Sequence, residues 1–215
     1  MNTHTLKFSL PRRLLATAFV LLIAAAVLAL PWLPAVMDRD DFYGLRVDLP
    51  AEPLPGPGGE PLTTPEGSLD VVFFGFQHCN SVCPARMLNL MTLHRRLSSA
   101  PVRFVFVSLD PERDSGESLE NAMATMGPTF LAVRPETGQQ ARQLASRYHD
   151  YSSRNGMGDG YDIEHSGHLH VVSSRGRREL LYTSRELDLD RVVADLRQLL
   201  SSVPAGTSEI ALNDH

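Results

Sequence analysis

Phe73-Phe74-Gly75-Phe76-Gln77-His78-Cys79-Asn80-Ser81-Val82-Cys83-Pro84 carries the two cysteines of the 215-residue chain, spaced C-x-x-x-C. Asp70 to Phe76 is short, almost continuously apolar and rich in valine and phenylalanine, which predicts a buried strand. Proline is tolerated in a helix only in its first turn and disfavours α geometry in the residue before it. A helix is therefore expected to start at Pro84 with Cys83 as its cap. Both sulfurs then lie in a strand-to-helix loop beside unpaired helix amides that favour negative charge, which predicts thiol pKa values below the ordinary 8.5 or so. Three chemistries compete for such a pair: a structural disulfide, thiol–disulfide exchange and metal binding. A bridge closing so short a loop removes little unfolded-state entropy, so a pure staple is the weakest of them. The other two both use a thiolate, and the cysteines alone do not divide them.

Toward the N-terminus, Lys7, Arg12 and Arg13 precede an uncharged stretch from Leu14 to Val36 that includes Trp32. Its length suits a bilayer core of about 30 Å and exceeds the usual signal-peptide core. The expectation is a cytoplasmic segment over residues 1–13, a single transmembrane anchor over 14–36, and everything beyond on the outer side. Thirteen residues leave no room for a transit peptide, which favours a bacterial inner membrane with the soluble domain in the periplasm. A cleaved signal peptide is the competing reading. The chain's net charge is −5; its first 37 residues contribute +3, leaving −8 for the rest. An acidic outer domain has no electrostatic case for binding nucleic acid. Two cysteines are also too few for a disulfide scaffold.

Residues 37–68 read as a tether and entry segment. Pro50 to Gly59 is proline- and glycine-rich and is expected to be extended linker or loop, with a short edge strand between Phe42 and Leu49. From residue 69 to 203, strand and helix patterns alternate as in a single α/β domain. Met87, Leu90, Met91, His94 and Leu97 share one helical face, so His94 reads as a packed residue. Val102 to Leu109 is the next strand and ends in Asp110-Pro111-Glu112-Arg113-Asp114. Ser115 is expected to cap a helix with Leu119, Ala122, Met123 and Met126 inward. A brief strand from Thr129 to Val133 and a helix from Gln139 to Tyr148 follow. Asp150 to Glu164 reads as a polar loop that delivers His165. Strands near Val171 and Leu181, joined by a turn at Arg175-Gly176, are expected to be antiparallel. Asp188 caps a closing helix, and residues 204–215 read as a frayed tail. The fold class is thioredoxin-like, a mixed β-sheet flanked by helices, behind one N-terminal transmembrane helix.

The cysteine stretch, then Asp110-Pro111-Glu112-Arg113-Asp114, then Glu164-His165-Ser166, in that order, resemble the Sco/SenC/PrrC family of membrane-anchored, thioredoxin-fold proteins of cytochrome c oxidase assembly. The resemblance covers about residues 69–200 and the anchor. It implies that Cys79, Cys83 and His165 bind one copper ion. Thiolates suit Cu(I), imidazole suits both copper oxidation states, and three ligands leave a position open for a partner to take the ion. It also implies that Asp110 supports the site or contacts a partner; an aspartate before proline is equally a turn former. Many members have Pro-Asp where this chain has Asn80-Ser81, threonine at Gln77 and aspartate at Glu164. His168 and His170 point to one face at strand spacing and are a candidate secondary metal site, against a reading as surface histidines. His78 is a candidate for tuning the thiols or contacting a partner.

The implied function is a copper metallochaperone that delivers copper to an exported copper enzyme, foremost cytochrome c oxidase at its CuA site. Its partners are the apo copper subunit, an upstream copper donor, a thiol–disulfide reductant and the membrane. The alternatives are a thiol–disulfide oxidoreductase acting through Cys79 and Cys83, and a redox or copper sensor. His165 separates them, because dithiol exchange has no need of an imidazole there.

Overall fold

The computed structural model describes residues 12–29, 42–56, 59–79, 83–156 and 158–202. Two compact units divide the chain, residues 1–41 and 42–215. The described part of the first is one helix, α1 (Arg12–Ala29), whose Phe19, Leu21, Leu22 and Leu28 are exposed. Among the described residues no helix is long and apolar enough to cross a membrane. The expected anchor over 14–36 runs past α1 into residues outside the described set, as do Trp32, Asn80 to Val82 and the tail.

The second unit is a six-stranded mixed sheet with helices. Its elements in chain order are β1 (Leu45–Pro50), β2 (Leu54–Pro55), β3 (Pro61–Leu62), β4 (Leu69–Gly75) and α2 (Cys83–Arg96). They continue with β5 (Val102–Ser108), α3 (Gly116–Met126), β6 (Phe130–Val133), α4 (Gly138–Arg147), β7 (Ser152–Asn155) and β8 (Asp162–His165). The domain closes with β9 (Leu169–Ser173), β10 (Arg177–Tyr182) and α5 (Leu189–Ser202). The sheet order is β1-β10-β9-β4-β5-β6. β4, β5 and β6 run parallel, while β9 is antiparallel to both β4 and β10. Parallel neighbours need a crossover, which α2 supplies between β4 and β5; antiparallel ones need only a tight turn, here at Arg175-Gly176.

Central position explains the composition of β4. Every one of its residues from Leu69 to Gly75 is buried, as expected of a strand covered on both faces. β1 is an edge strand, as expected between Phe42 and Leu49. Ser115 caps α3 by accepting from the Ser118 amide, and Asp188 caps α5 by accepting from Asp190 and Arg191. The inward stripes of α3, α4 and α5 are the expected ones: Leu119 and Met123; Ala141, Leu144 and Ala145; Val192, Val193, Leu196 and Leu199.

Three expectations change. The helix after the cysteine loop starts at Cys83, so Pro84 sits second in its first turn, where its missing amide is still harmless. Pro50 to Gly59 is not plain linker: β2 pairs with β3, and Leu54 joins the core. Asp150 to Glu164 is not a loop but contains a two-stranded hairpin, β7 with β8, around a short 3-10 turn at Gly158–Gly160. Its strands are polar and four residues long, and only Ile163 and His165 of β8 turn inward, too brief an alternation to read as a strand.

Candidate metal centre

Cys79 stands just beyond β4 and Cys83 opens α2, so the parallel crossover places both sulfurs at one end of the central strand. No disulfide joins them, and each residue is only 5% exposed. Gly75 makes room for this loop. A Cβ added there would lie 2.8 Å from Phe73 Cε1, 3.1 Å from Cys83 Sγ and 3.1 Å from Phe106 Cε2. The loop's other wall is Asp114, fully buried, which accepts from the Gln77 amide and from Ser108 Oγ at 2.7 Å. Gln77 also trades side-chain hydrogen bonds with Ser118 at the start of α3.

His165 comes from the far side of the sequence on the inward face of β8. Its Nε2 lies 3.6 Å from Cys79 Sγ and 3.3 Å from Cys83 Sγ. The ring packs against Phe73 and Phe76, at centroid distances of 6.0 and 5.8 Å. Asp110 explains how the hairpin is held there. It is fully buried; it accepts from the Tyr161 hydroxyl, one residue before β8, and from Arg113. Arg113 in turn donates to the Tyr161 carbonyl at 3.1 Å and covers one ring face at 3.9 Å, and Arg154 of β7 covers the ring at 3.6 Å. Asp110 is thus shut off from solvent, and it ties the histidine-bearing hairpin to the end of β5.

Burial dominates the electrostatics. Desolvation pushes the Cys83 thiol strongly up, with the Cys79 thiol and the Asp114 charge adding to it and a hydrogen bond to the Phe76 backbone opposing it. At Cys83 this runs against the lowering expected of a helix N-terminus: burial removes water from around the sulfur anion. Burial likewise lowers His165, which Asp150 and Asp162 only partly oppose, so its imidazole is neutral at pH 7. A neutral imidazole and two thiols within 4.8 Å of one another are a set that could hold a metal ion. A bound cation would supply the positive charge the pocket lacks and deprotonate the thiols outright.

The remaining candidates lie elsewhere. His78 is exposed, with Nδ1 3.8 Å from Asp114. His94 is half-buried, bonded to Thr129 Oγ1 at 2.8 Å and packed on Phe104 and Phe130. His168 and His170 share a face, the first half-buried and the second buried. His170 is 1% exposed because β9 is interior to the sheet, and both approach Asp150. Asp114 and Asp150 were not legible as site residues. Asp114 closes a motif that reads as a turn, and Asp150 looks like an ordinary loop acid.

A thioredoxin-like domain whose strand-to-helix loop presents two thiols to a histidine on a distant hairpin defines a class of thiol-and-imidazole proteins. The chain belongs to the SCO1/SenC family, whose model matches residues 61–201. Among relatives, the mitochondrial SCO2 homolog of Homo sapiens is 28% identical over 116 residues, covering 51% of this chain and 43% of that protein. The SCO2-like protein of Rickettsia typhi is 29% identical over 121 residues, covering 52% and 57%. The chain spans about half the length of the curated relatives it matches. Among solved structures, apo Sco1 from Thermus thermophilus is 32% identical with a TM-score of 0.60, covering 74% of this chain and 96% of that one. Yeast Sco1 with copper bound shares the fold at 21% identity and a TM-score of 0.57, covering 80% and 96%.

Proposed function

We propose that this chain is a membrane-anchored copper metallochaperone that holds one copper ion on Cys79, Cys83 and His165 and passes it to an exported copper enzyme, foremost cytochrome c oxidase. The convergence of His165 Nε2 on both sulfurs, at 3.3 and 3.6 Å, carries the reading. Two soft sulfurs and one nitrogen suit copper in both oxidation states, and the fourth position is left for the ligand that removes it. Copper is the cargo. The copper-bound structures of yeast and Arabidopsis thaliana proteins of this fold, and a neighbour described as belonging to the cytochrome c oxidase assembly proteins, support the same reading. Dithiol exchange is the weaker reading, because it has no need of an imidazole held against both sulfurs.

The surroundings assign further roles. Exposed His78 is the group beside Cys79 that a partner subunit or copper donor would meet, and a reductant would keep the pair as thiols. The apolar side chains exposed along α1, preceded in sequence by basic residues, support an anchor in a bacterial inner membrane with residues 42–215 in the periplasm.

The test is an anaerobic titration of the reduced fragment 42–215 with Cu(I) and then Cu(II), beside His165→Ala. One equivalent of Cu(I) should bind, and the first equivalent of Cu(II) should give thiolate-to-Cu(II) charge transfer in the absorption spectrum. The variant should keep its fold and lose most of its affinity for the Cu(II) that shows this charge transfer. Equal Cu(II) affinity in the two proteins would remove His165 from the ligand set.

A further inference from the structure

Helix α4 ends in a way that aims one carboxylate into the protein. His149 adopts a left-handed conformation at φ 60°. Its amide donates to Ser146 O and the Asp150 amide to Ala145 O, both at 2.9 Å. This pair of bonds closes the helix as a Schellman motif and turns the chain back inward. Asp150 is therefore 3% exposed, on a segment whose sequence alone reads as polar loop.

Two histidines meet it there. His170, interior in β9, has Nε2 3.2 Å from Asp150 Oδ2. His168, two residues earlier and on the same face, has Nδ1 3.9 Å from Asp150 Oδ1. The latter two atoms are buried, and neither has a hydrogen-bond partner. Buried polar atoms are rarely left so, and each such case asks for an explanation. A carboxylate oxygen and an imidazole nitrogen facing each other across 3.9 Å are too far apart to bond directly. They suit an ion between them: ligands at about 2.0–2.1 Å from a metal lie roughly 3.3–4 Å apart. Phe74 and Tyr148 hold the His170 ring edge-on at centroid distances of 6.0 and 5.3 Å and pack against each other at 5.2 Å, so the set is rigid on two sides. The His168 side chain is 22% exposed and gives the cluster its route to solvent.

We propose that Asp150, His168 and His170 form a second metal site, separate from the two thiols and selective for a divalent transition ion such as Zn²⁺ or Cu²⁺. Two imidazoles and one carboxylate are borderline-to-hard donors, which hold such ions and, lacking sulfur, offer little to Cu(I). Three protein ligands leave at least one position for water or a further ligand. Arg86 shares a charge interaction with Asp150, and two of its nitrogens are buried without hydrogen-bond partners. The two candidate sites are mechanically joined: the Ser166 amide donates to Tyr151 O at 3.0 Å, and the Tyr151 amide to Ser166 Oγ at 2.9 Å, linking the neighbours of His165 and Asp150.

The test removes the thiols and keeps the rest. The full-length chain carrying Cys79→Ser and Cys83→Ser is titrated with Zn²⁺ alone, and then with Co²⁺ as a spectroscopic probe. One equivalent of Zn²⁺ should bind, and Co²⁺ should give d–d bands without sulfur charge transfer. His168→Gln in the same background should lower the affinity by at least about tenfold, as loss of a ligand should exceed loss of an outer partner. His168 is chosen because it is partly exposed and makes no hydrogen bond, so its replacement should leave the unfolding midpoint in place. No zinc at one equivalent, or an affinity indifferent to His168→Gln, overturns the second site. Neither outcome touches the copper reading, which rests on the thiols.

Discussion

At the residue scale, the cysteine loop depends on the absence of a side chain at Gly75. A methyl group there would press on Cys83 Sγ and on two phenyl rings, and rings in a filled core yield little. Gly75→Ala should destabilise the domain by about 1–3 kcal/mol as an overpacked core substitution. It should also weaken Cu(I) binding by displacing Cys83; urea unfolding and chelator competition measure the two effects. The histidines give a pH dependence with a definite sign. Burial lowers His165 and His170 below the ordinary 6.5, so below that value the unfolded chain takes up protons that the folded chain refuses. Their contribution to stability is present above pH 6.5 and is lost as pH falls through their folded-state values. The metal-free domain should therefore unfold at lower urea at pH 5.5 than at pH 7.5, with a smaller difference in His165→Asn. A midpoint that rose on acidification would contradict the assignment of both rings as buried and neutral.

At the element scale, the hairpin β7–β8 is small and polar, and two four-residue strands are not stable by themselves. What fixes it is the set of contacts around Tyr161: the Asp110 carboxylate on its hydroxyl, and two guanidinium groups on its ring. Removing the hydroxyl in Tyr161→Phe leaves a buried carboxylate oxygen short of a donor, which costs about 1–3 kcal/mol. The expected consequence is selective. Cu(II) binding, which leans on the histidine, should weaken, while Cu(I) binding through the two sulfurs stays near the parent value. The exposed Tyr151→Phe is the control; equal Cu(II) affinities in the two variants would show that Tyr161 does not position His165.

At the scale of the whole molecule, the domain is closed by a tie between its two ends. Asp195 of α5 accepts from the amides of Tyr43 and Gly44 at 3.0 and 2.8 Å, and from the Tyr182 hydroxyl at 2.9 Å. The carboxylate is buried, so Asp195→Ala would strand three donors at once. A loss of about 3 kcal/mol or more in unfolding free energy is expected, with a lower thermal midpoint. Metal affinity should hardly change, because Cys79, Cys83 and His165 are carried by β4, α2 and β8. Binding that collapsed together with stability would mean that the centre needs the closed ends.

Much of this was determined by the sequence alone, wherever the deciding interactions are local or periodic. The buried run of β4, the caps at Ser115 and Asp188, the apolar stripes of α3 to α5 and the turn at Arg175-Gly176 all follow from neighbours within a few residues. The cysteine spacing and the order of three motifs were enough to indicate the family and to name His165 as the third member of the centre. Tertiary structure decided the rest. Polar strands carry no hydrophobic alternation, so β7 and β8 become visible only with Tyr161 docked on Asp110 and Arg113. The acidity of the Cys83 thiol could not be judged from a helix N-terminus, because burial in the folded domain pushes it up. Asp150 reads as part of a polar loop until chain segments distant in sequence enclose it, and the burial of Asp195 likewise comes from distant segments. A charge or a sulfur takes its chemistry from what surrounds it, and in this chain those surroundings come from residues up to 152 positions away.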